Sequence, residues 1–196
     1  MQYTYLDKEN LKISKLGLGT KIFVEQIKVD KKIFRNYVNN SLNEILISGI
    51  ESGINLIECA SFYPIDFLIS LSEKIQQVRK SVVLNFRIGY KLSRENEIVK
   101  EKTQYKVFLT KKDVIAQVEN LLTILKTDYI DIITICGLDK EKEYISDVVD
   151  AFYILNSRGY VRYSGIYIAN ADLLRLERLI EKFNFSQITY NILNQW

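Results

Sequence analysis

The sequence predicts an α/β fold in which parallel strands are joined by helices, and three observations predict it. Short apolar runs alternate with longer segments of helical period along the chain, which is the rhythm of β-α units. The runs themselves are almost continuously apolar, as in residues 129–135, and such strands belong to a sheet covered on both faces. One proline and eight glycines leave no linker-like stretch, so residues 1–196 read as one domain.

The elements follow in order. Residues 3–15 alternate and form a hairpin turning near Asp7-Lys8-Glu9-Asn10, followed by a short buried strand at 16–19. A helix over 34–52 places Val38, Leu42, Ile45 and Leu46 on one face, and Gly53 stops it. Residues 54–57 form the next strand, 65–79 a helix and 82–86 a strand. Residues 88–109 read as a long polar loop. Thr110 then caps a helix carrying Val114, Ile115, Val118, Leu121, Leu122 and Leu125 at helical spacing. A strand at 129–135 is broken only by Asp131. A helix at 144–157 ends at Gly159, a strand covers 161–167, a helix covers 171–183, and a last strand covers 187–192.

This pattern leaves two architectures open, a doubly wound sheet and a barrel. Gly17-Leu18-Gly19-Thr20-Lys21-Ile22 lacks the third glycine of a dinucleotide-binding Gly-x-Gly-x-x-Gly turn, so Rossmann-type binding has little support.

Composition narrows the function. Apolar residues at 47% and charged residues at 26% are ordinary for a globular protein. Lys plus Arg is 27 and Asp plus Glu is 24, and a scattered excess of +3 gives no nucleic-acid footprint. Lys31-Lys32 and Lys111-Lys112 have acidic residues nearby and read as solvated faces. The chain has no histidine, which removes the commonest general base and the commonest zinc ligand. Cys59 and Cys136 have neither metal-ligand spacing nor the number for a disulfide framework, so no metal is expected. Residues 1–12 show no secretory signal, and no apolar run approaches the roughly 20 residues of a membrane span. The expected compartment is the reducing cytoplasm, with no membrane or nucleic-acid partner.

Five segments, in order, carry a resemblance. They are Leu11 to Thr20 (LKISKLGLGT), Gly53 to Tyr63 (GINLIECASFY), Asp128 to Gly137 (DYIDIITICG), Gly159 to Ile166 (GYVRYSGI) and Gln187 to Asn191 (QITYN). Together they resemble the opening hairpin and the first, second, fourth, fifth and sixth barrel strands of the aldo-keto reductase family. The resemblance implies a TIM-type (β/α)8 barrel with an N-terminal β-hairpin. Such barrels take about 250 residues, and about six of the eight βα units are expected here. The absent strands would carry much of the phosphate-binding segment for NADPH. An unclosed barrel exposes edges, so the sequence reads as a fragment, or as a chain whose open edge a homo-oligomer would cover.

The family reduces a small-molecule carbonyl substrate with NADPH. A tyrosine supplies the proton, a lysine paired to an aspartate lowers that tyrosine's pKa, and a histidine orients the carbonyl. By resemblance the catalytic positions are Tyr63 for the tyrosine, Glu58 for the aspartate, Arg87 for the lysine and Cys136 for the histidine. Glu58 keeps the carboxylate with one more methylene. Arg87 keeps the charge in a planar fork that is no equivalent of an ammonium. A thiol is a weak donor beside imidazole. Cofactor contacts are implied for Thr20 and Gln187, whereas Tyr167 and Ile168 stand where the family has the Ser-Asn that holds the nicotinamide amide. Each residue also has a plain structural reading: a packed tyrosine, a structural ion pair, an inert buried thiol, strand-end polar groups. The expected function is NADP(H)-dependent carbonyl reduction with weak or lost activity, and the alternative is a pseudoenzyme acting as a binding or assembly module. Chemistry centred on the Cys136 thiol is a minor third reading.

Overall fold

A computed structural model of the chain describes residues 1–6, 11–21, 23, 42–92, 105–138, 142–168 and 179–192. The hairpin is formed by β1 (Tyr3–Leu6) and β2 (Leu11–Ser14), antiparallel with Leu6 opposite Leu11. Its expected turn lies outside the described residues. Then come β3 (Gly17–Gly19), α1 (described at 42–51), β4 (Leu56–Ala60), α2 (Ile65–Val78) and β5 (Val83–Ile88). After β6 (Tyr90–Leu92) and β7 (Tyr105–Val107) follow α3 (Lys111–Leu125), β8 (Ile130–Ile135), α4 (Ile145–Ser157), β9 (Val161–Ile168) and β10 (Phe185–Ile188).

Strand order decides between the two architectures that periodicity left open. The main sheet runs β3-β4-β5-β8-β9-β10, every pair parallel and every step to the next strand in the chain apart from the β6–β7 insertion. A doubly wound sheet reverses its order at a switch point, and this one never does. It is the curled, singly wound sheet of a (β/α)8-type barrel, six strands wide.

Alternation sorts the strand residues between two faces. Ile57, Leu84, Phe86, Ile88, Ile133, Ile135, Ile166 and Ile168 point outward into the layer shared with Leu68, Leu71 and Ile75 of α2, Val114, Val118, Leu121 and Leu125 of α3, and Val148 and Leu155 of α4. On the inner face Val83 and Ile132 pack with Ile13 of the hairpin, joined by Leu6, Leu11, Leu56, Tyr163 and Phe185. The hairpin thus plugs the end where the strands begin. Asn55 fastens it by donating to the Lys12 carbonyl at 2.8 Å and accepting from the Ser14 amide at 2.7 Å. The end where the strands finish is left for chemistry, as in barrels generally.

Local signals explain the helix ends. The Thr110 hydroxyl accepts from the Asp113 amide at 3.2 Å and caps α3. Gly53 adopts φ +90° after α1, a left-handed conformation suited to glycine. Several expectations are corrected. Within α1, Leu42 and Leu46 are buried but Ile45 is exposed, because i and i+4 share the inward face and Ile45 falls on its flank; Val38 lies outside the described residues. The strand at 16–19 is not buried: Leu16 is exposed and only Leu18 is half-buried, since β3 is a short edge strand. Residues 88–109 are not one loop, because β6 and β7 pair as an antiparallel ladder, Tyr90 opposite Val107. The last strand begins earlier, at Phe185. The helix expected at 171–183 is described only at 179–183, where Leu179 and Ile180 are helical. No helix among the described residues is long and apolar enough to cross a membrane.

Candidate active site

Strand ends and one loop build the site at the finishing end of the barrel. Glu58 is the third residue of β4, and Arg87, on the neighbouring β5, is ion-paired to it, Arg87 Nε against Glu58 Oε1. The loop after β4 brings Tyr63 back over the pair. The Ser61 amide donates to the Arg87 carbonyl at 2.9 Å and the Tyr63 amide to the Ala60 carbonyl at 3.3 Å, which fixes the turn. Arg87 Nη2 then donates to Tyr63 Oη at 3.4 Å. Phe62 and Phe67 meet the Tyr63 ring edge to face, with centroids at 5.5 and 5.8 Å, and only 7% of the residue is exposed.

That burial controls the electrostatics. Desolvation, followed by the Glu58 charge, pushes the Tyr63 phenol well above its ordinary value, and Arg87 returns only part of the shift. Burial likewise raises the Glu58 carboxyl, opposed by Arg87 and by Lys21. Burial works against the Arg87 charge, but Glu58, Tyr63 and Cys136 together outweigh it and raise its pKa. Arg87 is therefore a firm cation, and the Tyr63 phenol holds its proton more tightly than a solvated one.

Cys136 follows β8, buried, with its amide donating to the Ile88 carbonyl at 2.9 Å, and it lies near enough to act on the Arg87 charge. Gly89 makes this closeness feasible. It has φ +106°, and a Cβ there would stand 2.5 Å from the Cys136 carbonyl oxygen. The structure thus brings Glu58, Tyr63, Arg87 and Cys136 together at one mouth.

The two expected cofactor residues differ. Thr20 is fully buried, and its hydroxyl donates to the Glu58 carbonyl at 2.9 Å, beside its own amide at 3.0 Å. Its proton is committed to clamping β3 to β4. Gln187 lies beside Tyr167 in the β9–β10 register, and its buried Oε1 has no hydrogen-bond partner among the described residues. A buried carbonyl oxygen without a donor is costly, so Gln187 offers an acceptor suited to an amide N–H, as a nicotinamide carboxamide would provide. Ile168, the other substituted position, points outward into the core. Among the described residues no three His, Cys, Asp or Glu side chains group as metal ligands.

Three contributors were not singled out as site residues from sequence. Thr134 donates to Asn85 Oδ1 at 2.7 Å, forming a buried polar pair one step below Arg87 and Cys136 on the same inner face. Polar residues two apart in apolar strands, Asn85 and Arg87, Thr134 and Cys136, are the signal that could have found them. Lys21, next to Thr20, has no comparable signal.

A parallel barrel-type sheet with an acid–arginine–tyrosine chain at its finishing end defines a β/α-barrel protein. The match to the aldo/keto reductase family model covers residues 15–196, and the chain belongs to that family. No curated protein sequence matches the chain significantly. Solved structures do. A protein of Pseudomonas aeruginosa assigned to the aldo-keto reductases superposes with a TM-score of 0.79 at 20% identity, covering 98% of this chain and 69% of that one. The holo form of an aldo-keto reductase from Bacillus halodurans gives 0.73 at 20% identity, covering 97% and 58%. A glycerol dehydrogenase from Gluconobacter oxydans gives 0.76 at 16% identity, covering 98% and 56%. At such identities the likeness concerns the fold, and the chain spans from little over half to about two thirds of these proteins' lengths.

Proposed function

We propose that the mouth is a carbonyl-reducing site of the NADP(H)-dependent type, acting slowly on a small-molecule carbonyl substrate. One observation carries this reading: the unbroken chain Glu58–Arg87–Tyr63, which places a phenol beside a fixed cation at the barrel mouth. Gln187 would hold the nicotinamide end, with the fully buried Thr20 supporting the wall beside it through its clamp on the Glu58 carbonyl. When bound, a reduced nicotinamide supplies a hydride to the carbonyl carbon. Tyr63 Oη gives its proton to the carbonyl oxygen, Arg87 steadies the phenolate left behind, and Glu58 fixes the guanidinium plane. Burial of Tyr63 makes that phenolate costly, and the weak thiol donor of Cys136 does little to orient a carbonyl; both support a slow rate. Two buried cysteines that form no disulfide suit a reducing compartment such as the cytoplasm.

The test is NADPH consumption with a panel of aldehydes and ketones by the wild type and Tyr63→Phe. The expected result is slow turnover that falls about 10²-fold in the variant, the lower end for losing a placed acid. Equal rates in both proteins would overturn the reading. The raised Tyr63 pKa favours one other outcome, a pseudoenzyme that binds NADPH without turnover; fluorescence titration together with the same assay separates the two.

A further inference from the structure

Tyr167 is an inward side chain at the mouth to which the proton-transfer chain gives no task. It sits on β9 between two inward neighbours, Gln187 in register on β10 and Cys136 just past the Ile135–Ile166 pair on β8. Its ring centroid lies 5.6 Å from the Arg87 guanidinium carbon. Adjacent strands are about 4.7–4.9 Å apart, and β8 separates β9 from β5. The β5 arginine and the β9 ring therefore meet across the intervening strand, on the inner face where Cys136 lies 1% exposed. At its other end the hydroxyl is hydrogen-bonded to Thr189 Oγ1 at 3.3 Å, beyond Gln187 along the chain. The ring is held on its face by a cation and at its tip by a hydroxyl, beside the Gln187 oxygen that has no hydrogen-bond partner among the described residues.

We propose that Tyr167 is a specificity-determining cover, closed over Cys136 and Gln187 by its Arg87 and Thr189 contacts, which a flat amide-bearing ring must displace to reach Gln187. The identity of the ligand rests on the carbonyl-reductase reading; the cover does not. A site that is competent only when open shows an affinity reduced by its open fraction. One neutral hydrogen bond with one cation–π contact sets closed over open by about tenfold. The same fraction governs how often a reagent meets the Cys136 thiol.

Two measurements on the full chain test this. NADPH is titrated by fluorescence, and iodoacetamide labelling of Cys136 is timed by mass spectrometry. Cys59, buried on the outer face with its thiol pushed up to about 12, is the internal reference for global unfolding. Tyr167→Ser is expected to label Cys136 about tenfold faster, with Cys59 unchanged, and to bind NADPH about tenfold tighter. Thr189→Val, which keeps the ring and loses its latch, is expected to move both by about threefold. Equal Cys136 labelling in wild type and Tyr167→Ser would overturn the cover, and so would faster labelling with weakened NADPH binding. Faster labelling with NADPH bound by none of the proteins would uphold the cover and refute the carbonyl-reductase reading instead.

Discussion

The two ends of the barrel hold the same three kinds of side chain and use them oppositely. Where the strands begin, Asp131 is 2% exposed and saturated: Oδ2 meets Arg79 Nη2 at 2.9 Å and the Leu84 amide at 3.0 Å, and Oδ1 meets Arg162 Nη1 at 3.2 Å. The Tyr129 ring lies between the two arginines, 4.0 and 4.1 Å from their guanidinium carbons. Arg79 also donates to the Thr127 hydroxyl and to the Val82 and Tyr129 carbonyls. Where the strands finish, Glu58 has Arg87, Arg87 has Tyr63 at the long distance of 3.4 Å, and the Gln187 oxygen has no partner among the described residues. An acid–arginine–tyrosine group with every valence filled is a fastener. One with unfilled capacity, opening to a mouth, can act on a ligand.

The largest effect expected from this contrast is on stability. Asp131→Ala leaves two arginines facing a buried gap, and it should lower the unfolding free energy by about 3–5 kcal/mol, read by urea denaturation. A loss under about 1 kcal/mol, the usual size for an exposed pair, would place the fastener at the wrong end. Next is Gly89→Ala, which forces a side chain to φ +106° against the Cys136 carbonyl and should cost about 2 kcal/mol. Arg87→Met should cost less than Asp131→Ala, about 1–2 kcal/mol, because it strands a single carboxylate and Glu58 can take a proton instead.

The smallest effect is on pH dependence. Tyr63 and Cys59 both have folded pKa values raised by burial, Cys59 from 9.0 to about 12. Below its unfolded value each group is protonated in both states and folding is unaffected. Above that value the unfolded chain releases the proton first, so stability falls as pH rises towards the folded value. Denaturant midpoints should therefore drop from about pH 9, and more steeply above about pH 10. Tyr63→Phe should remove the second, steeper part alone.

The contrast was only half legible in the sequence. Asp131 announced itself as the one charge in an apolar strand, but its partners Arg79 and Arg162 lie on other elements, and no local period connects them. The strands and helices were readable because burial on one face imposes period 2 or 3.6. Period says nothing of strand order, so a wound sheet and a barrel stayed equivalent on pattern alone; the family resemblance chose the barrel, and the register bears it out. Ile45 was misplaced because helix spacing defines a stripe without its edges. Residues 16–19 look apolar enough for a core strand, and only their edge position exposes Leu16. At the mouth, Tyr63, Glu58, Arg87 and Cys136 were found by resemblance, and nothing in their spacing foretold that they would converge. That Thr20 is tied up in a backbone clamp while Gln187 is left without a donor depends on hydrogen bonds that only the folded chain defines.

The division of labour between the two ends is tested most directly by measuring NADPH-dependent carbonyl turnover and thermal midpoint together on Tyr63→Phe and Asp131→Asn. The prediction is a double dissociation, in which Tyr63→Phe loses turnover with its midpoint kept and Asp131→Asn loses midpoint with its turnover kept. Turnover that survives in Tyr63→Phe, or that disappears in a still-folded Asp131→Asn, would contradict it.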